Sequence, residues 1–169
     1  MNVIDAILTR RSIRRFTGQV ISDEQLELLL KAGFQAPSAH NLQPWHFIIV
    51  KEKENLEKIS SSHPYAKMLP QAGCGIIVCG DVKKEPNEGF LAEDCAAAIQ
   101  NILLAAHGTG LGAVWCGLYP NTDRTTVISS ILKLPENIIP VGLIAVGYPN
   151  EEKTAQDRYD STRIHYETW

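Results

Sequence analysis

The stretch from 93 to 107 constrains the fold most. Cys95, Ala98, Ile99, Ile102, Leu103 and Ala106 recur at i, i+3, i+4 and i+7 and draw one apolar stripe of a helix, while Ala96, Ala97, Leu104 and Ala105 fill most of the other side. A helix apolar nearly all round has to be covered on every side. In a chain of 169 residues, the economical cover is the sheet on one face and a second subunit on the other, as in an obligate homodimer. The competing reading is a central helix inside a monomer core.

Around this helix the chain reads as one domain with a tail, without repeats, low-complexity tracts or a Pro/Gly/Ser linker. A chain of this length hides roughly 70% of the surface its unfolded form exposes, which is enough for a core without metal or disulfide staples. Helices are expected at Val3 to Thr9 and at Asp23 to Phe34. The second has a capping box from Ser22 and Gln25 and an apolar face of Leu26, Leu29, Leu30 and Phe34. Short β-branched runs bounded by Gly, Pro or Asp predict strands at 45–50, 75–80, 112–117 and 140–147. Helical segments are expected near 52–60 and 122–132. Strands alternating with helices usually mean a parallel doubly wound sheet. The two leading helices and an irregular region at 81–92 fit that less well, so the expected class is α+β.

Sixteen Lys and Arg against nineteen Asp and Glu give a net charge of -3, and a pI near 5.9 speaks against a general nucleic-acid binder. Cys74, Cys79, Cys95 and Cys116 form no CxxC pair and lie in apolar stretches, as free thiols do in a reduced, cytoplasmic setting. The opening MNVIDAILTRRS lacks the pattern of a secretory signal. The run IIPVGLIAVG at 138–147 is broken by Pro140 and falls short of the roughly 18 residues of a membrane span. No membrane anchor is expected.

Three segments carry chemistry. Arg10, Arg11, Arg14 and Arg15 gather four of the sixteen basic residues around Ser12. Arginine offers permanent charge and planar multi-donor recognition of phosphate; the other reading is a solvated helix C-terminus complementing the dipole. The loop from Ala36 to Trp45 combines Pro37 and Pro44 with Ser38, Asn41 and Gln43, whose hydroxyl and amides both donate and accept. That suits a planar heterocycle with carbonyls and ring nitrogens, and equally a hydrogen-bonded turn. Gly108, Gly110 and Ala113 satisfy a relaxed dinucleotide fingerprint, but here a helix ends and a strand begins, the reverse of a Rossmann turn. Gly108, Gly110 and Gly112 read better as a helix stop and a place of close backbone approach. The five histidines have no ligand spacing, no zinc pattern exists and Ser38 has no nucleophile elbow. Any enzyme chemistry would belong to a cofactor.

In order along the chain, RRSIRRF, APSAHNLQPWHF, GLGAVWCG after a long apolar helix, and a C-terminal DRYDSTRIHYETW resemble the nitroreductase family of flavin-dependent oxidoreductases. The resemblance spans nearly the whole chain. It implies a single nitroreductase-like domain over 1–169, with a mostly antiparallel or mixed sheet flanked by helices. It implies an intertwined homodimer with FMN at the interface and a tail, about 150–169, embracing the partner subunit. Arg10, Arg11, Ser12 and Arg14 would hold the phosphate, ribityl chain and pyrimidine edge of FMN. Pro37, Ser38, Ala39, Asn41 and Gln43 would reach it largely from the other subunit. Trp115, Cys116, Gly117 and Leu118 would lie along the isoalloxazine, and Arg158 would complete the phosphate site, with a second cation left open between Lys153 and none. His40 and Phe90 are candidates to line the substrate side, or simply to pack.

The implied activity is ping-pong hydride transfer from NAD(P)H through flavin to a nitroaromatic, quinone or similar acceptor, with no side chain as acid or base. The segment 81–92 is short for branches with large lid insertions. A non-catalytic FMN-binding, storage or sensing protein is the alternative, and an unrelated anion binder is a third reading.

Overall fold

Apolar runs cut short by Gly, Pro and Asp become strands here, and the periodic segments between them become helices. A computed structural model describes residues 1–169. Its order is α1 (Val3–Thr9), α2 (Asp23–Phe34), β1 (Trp45–Val50), α3 (Lys53–Ser62), β2 (Cys74–Asp81), α4 (Glu88–Gly108), β3 (Gly112–Gly117), α5 (Thr122–Leu132) and β4 (Ile138–Gly147). The sheet runs β1-β2-β4-β3 with every pairing antiparallel, so the class is α+β and the sheet is not mixed.

Both faces of the sheet are covered. Ile76, Val78, Ile144 and Val146 face α2 and α4, while Ile77, Cys79, Leu143 and Ala145 pack with residues of α3 and α5 and with Phe16. This explains why β2 and β4 read as continuous apolar runs instead of alternating: neither face meets water.

Ser22 and Gln25 form the expected capping box, each side chain accepting from the other's backbone N–H. The apolar face of α2 is only partly inside: Leu26 and Leu29 are buried, Leu30 is half-buried, and Phe34 is 54% exposed. Phe34 instead meets Phe47 edge to face, at 4.9 Å between ring centroids.

Helix α4 begins at Glu88, because the Asn87 side chain accepts from the N–H groups of Gly89 and Phe90. The irregular region is therefore 82–87, shorter than the sequence suggested. Leu91, Asp94, Cys95, Ala98, Ile99, Ile102, Leu103 and Ala106 are buried. Ala92, Ala96, Ala97, Leu104 and Ala105 are only half-buried and Gln100 is exposed, so one chain covers one face. By length and composition α4 matches a membrane-spanning helix, but its inner face is locked into the core beneath the sheet. Ala6 is the one buried residue of α1, whose Val3, Ile4, Ile7 and Leu8 are each at least half exposed. Residues 151–169 contain one 3-10 turn, Ser161–Arg163, and carry Tyr159, Tyr166 and Trp169 outward.

Two of the glycines act as expected. Gly110 has φ +83°. A Cβ on Gly112 would lie 2.8 Å from Cγ2 of Ile13, so only glycine lets the N-terminal segment lie this close to β3.

Candidate functional site

Helix α1 ends at Thr9, so the arginine run leaves the helix and becomes extended chain; complementing a helix dipole applies at most to Arg10. Ser12 bridges Ala113 in the parallel sense, and the Ile13 N–H donates to the Ala113 carbonyl at 3.0 Å. Past Ile13 the chain turns off β3, because the Glu151 carboxylate takes the N–H groups of Arg14 and Arg15. The hydrogen bonds to Arg14 and Lys153 hold that carboxylate below its ordinary range.

This departure opens the sheet edge. In an antiparallel ladder the groups of alternate residues point away from the partner strand. Ala113 points outward to Ile13 while Leu118 donates inward to Val141, so Trp115 and Gly117 also present their N–H and C=O groups outward. No backbone segment pairs with them there.

A cavity of about 650 Å³ lies on one side of this segment and is lined by Thr9, Arg10, Arg11, Gln100, Gln156 and Arg158, among others. Burial lowers the pKa of Arg10, and the charges of Arg158 and Arg11 push it the same way. None of the three arginines forms an ion pair, and Nη1 of Arg11 is buried with no hydrogen-bond partner. Three close guanidiniums with an orphan donor fit a dianionic group such as a phosphomonoester.

A second cavity of about 580 Å³ lies along the open edge of β3, lined by Arg14, Tyr65, Lys67, Trp115, Cys116 and Gly117, with no carboxylate or imidazole in its wall. Trp115 is 39% exposed. Lys67 is anchored by donation to the Ser60 carbonyl at 3.1 Å. Burial raises the Cys116 thiol pKa against the opposing charges of Arg14 and Arg124, and its Sγ lies 3.2 Å from the Tyr65 carbonyl. Burial also pushes Cys74, Cys79 and Cys95 up to about 12, so none of the four free thiols is set up as a thiolate. Lys67 and Tyr65 escaped the sequence reading, since neither sits in a recognisable pattern.

The loop before β1 lies at the opposite edge of the sheet. Three strand spacings, roughly 14 Å, separate β1 from β3. Neither cavity is lined by Pro37, Ser38, Ala39, Asn41 or Gln43; Gln43 lines a separate pocket with Phe34, Trp45 and His46. His40, Asn41 and Gln43 have φ of +51°, +57° and +50°, an uncommon backbone for non-glycine residues that the surroundings must enforce. Ser38 Oγ accepts from the Gln43 N–H, and the buried Asp94 carboxylate accepts from the Ala39 N–H at 2.9 Å.

Other expected residues also stand apart. Leu118 is wholly buried and walls neither cavity. His40 is exposed on the loop, and Phe90 is exposed in the first turn of α4. Ser12 lends its carbonyl to Nζ of Lys153 at 2.8 Å; Lys153 also pairs with Glu151 at 3.3 Å and so staples the arginine segment in place. In one chain, then, Arg10, Arg11 and Arg158 meet in one cavity and Arg14, Trp115, Cys116 and Gly117 in the other, with the 37–43 loop elsewhere.

An antiparallel sheet between helical layers, with clustered unpaired arginines beside an open strand edge, defines an α+β domain whose chemistry lies in what it binds. The chain belongs to the nitroreductase family, whose model matches residues 7–63 and 59–148. It is 47% identical, over 100% of its own length and 88% of the relative's, to a protein of Methanothermobacter thermautotrophicus provisionally named NADH dehydrogenase/NAD(P)H nitroreductase. The crystal structure of a Parabacteroides distasonis protein with the same provisional name superposes with a TM-score of 0.96 at 39% identity, covering 100% of both chains. A Desulfovibrio desulfuricans protein, provisionally a nitroreductase and solved in complex with FMN, superposes with a TM-score of 0.86 at 31% identity, covering 100% of this chain and 98% of that one.

Proposed function

We propose that this chain is an FMN-dependent oxidoreductase that works as a homodimer and passes hydride from NAD(P)H to electron-poor acceptors such as nitroaromatics and quinones. The observation that carries this reading is the pair of cavities on one extended segment. Arg10 and Arg14 are four residues apart, roughly 13 Å of extended chain. That matches a ligand with a phosphate at one end and a flat ring at the other. Arg10, Arg11 and Arg158 would hold the phosphate and satisfy the orphan Nη1 of Arg11. Arg14, Lys67 and the outward N–H groups of Trp115 and Gly117 would hold the ring.

When bound, FMN supplies the hydride chemistry that no side chain here provides. The protein contributes orientation and charge: Arg14 and Lys67 bring positive charge to the place where electron density accumulates. Donor and acceptor would take turns at this one cavity, the order of a ping-pong reaction.

The homodimer is supported by three features of the chain. The 37–43 loop lies too far from β3 to reach the ring of its own chain, the apolar face of α1 is exposed and that of outer α4 only half-covered, and the tail beyond Lys153 is mostly exposed. A second copy covers the helices and brings its own 37–43 loop to the ring.

The reading is tested by binding and bleaching. Each hydrogen bond to a charged group contributes about 1.5–3 kcal/mol, so Arg158→Ala should weaken FMN roughly tenfold to a hundredfold in a fluorescence titration. Riboflavin, which lacks the phosphate, should bind that variant as it binds wild type, whereas Arg14→Ala should weaken both. Holoprotein should bleach anaerobically with NADH or NADPH and regain colour on adding a quinone. Yellow protein that neither donor bleaches supports the FMN-storage alternative, and a colourless reconstituted protein overturns both.

A further inference from the structure

Apart from the cysteine thiols, His63 is the most enclosed ionisable side chain, 1% exposed, and its ring is engaged at both nitrogens. Nδ1 accepts from the Tyr65 N–H at 3.2 Å. The proton therefore sits on Nε2, which donates to the Gly117 carbonyl at 3.0 Å. The same carbonyl accepts from Nη1 of Arg124 at 3.2 Å. The Arg124 guanidinium in turn lies 5.4 Å from the centre of the Tyr65 ring. His63, Gly117, Arg124 and Tyr65 thus close a loop of contacts behind the second cavity, which Tyr65 and Gly117 both line.

Gly117 needs such support. It is the last residue of an edge strand, its backbone groups point away from β4, and nothing lies within 4 Å of where its Cβ would be. An unsupported glycine there would be free to turn its peptide planes. Two donors on its carbonyl fix the Gly117–Leu118 peptide plane and occupy the carbonyl oxygen; of the two backbone groups that Gly117 turns to this edge of the strand, only the N–H is left free.

We propose that His63 is a positioning residue: together with Arg124 it clamps the Gly117 carbonyl, keeps the lone pairs of that oxygen away from the second cavity so that Gly117 presents only its N–H there, and thereby raises the electron affinity of the ring held there. The last step rests on the FMN reading; the clamp itself does not. Neither His63 nor Arg124 walls the cavity, so both act through Gly117.

The experiment uses His63→Phe, which fills the space without hydrogen bonds, His63→Gln, whose amide N–H can replace Nε2–H, and Arg124→Leu on the surface of α5. In the apoprotein, the Gly117 carbonyl carbon resonance should move upfield in His63→Phe and in Arg124→Leu and return most of the way in His63→Gln. In the holoprotein, the first two should bind FMN roughly three- to tenfold more weakly, the loss expected for one neutral hydrogen bond. Their bound flavin should show a lower midpoint potential and a shifted visible spectrum, with Gln restoring both. The proposal is overturned if His63→Phe and Arg124→Leu leave the carbonyl resonance, the spectrum and the potential at wild-type values while lowering the melting temperature alone, since that is a packing role. If His63→Phe does not fold, Arg124→Leu decides by the same readouts. Wild-type protein that binds no FMN refutes the cofactor reading, and the apoprotein resonance still judges the clamp.

Discussion

Asp94 sits on the inner face of α4 with one carboxylate oxygen on the Ala39 N–H and the other, Oδ2, buried without a partner. Burial raises its carboxyl above the ordinary aspartate value; the Ala39 N–H opposes this, and the neighbouring Glu85 and Glu93 add to it. A raised carboxyl in the native state binds its proton more tightly than in the unfolded chain. Stability therefore falls as pH climbs from the ordinary value through the raised one, and stays reduced above it. Asp94→Asn keeps an acceptor for Ala39 and removes the charge. Its melting temperature relative to wild type should be higher near pH 8 than near pH 4; an equal difference at both would trace the effect to packing. Asp94, like His63 and Lys67, was illegible in the sequence, because a single polar residue in an apolar or irregular stretch carries no periodic signal. The arginine run was legible because its charge is concentrated locally.

At the scale of elements, the pivotal contact is that between the arginine segment and β3, held by Ser12, Ile13 and Gly112 on one side and by Glu151 and Lys153 on the other. Gly112→Ala places a methyl 2.8 Å from Cγ2 and 2.9 Å from Cβ of Ile13. Overpacking of this kind costs about 1–3 kcal/mol, and urea unfolding should show that loss together with weaker FMN binding as Arg10 and Arg14 shift. A loss below about 0.5 kcal/mol would mean that Ile13 simply rotates away. The strands and most helices were readable because their patterns repeat every two or three to four residues. The start of α4 was not: Gly89 and Glu88 hide a first turn that only the Asn87 cap reveals. Phe34 belongs to the apolar face of α2 and is still exposed, because periodicity assigns a face without saying how far the covering layer extends.

For the molecule as a whole, the unspent apolar surface predicts assembly. Ile4 lies on the outer face of α1 and lines neither candidate cavity. Ile4→Glu should convert a sedimenting dimer at micromolar concentration into monomer and take most FMN affinity with it, since the 37–43 loop of the second copy is lost. Wild type that sediments as a monomer and still holds FMN would overturn the shared site.

What the chain determined by itself is whatever depends on neighbours a few residues away: the capping box of α2, the apolar stripe of α4, the apolar runs of the strands and the charge of the arginine run. The tertiary structure decided which distant groups meet. It brought Arg158 to Arg10, parted Arg14 into a second cavity, set β1 and β3 at opposite edges, and placed His63 and Arg124 on the Gly117 carbonyl. Local periodicity reports which face of an element is apolar. Pairing across a sheet and the closing of long loops depend on how all the layers pack at once, and no short window of sequence contains that information.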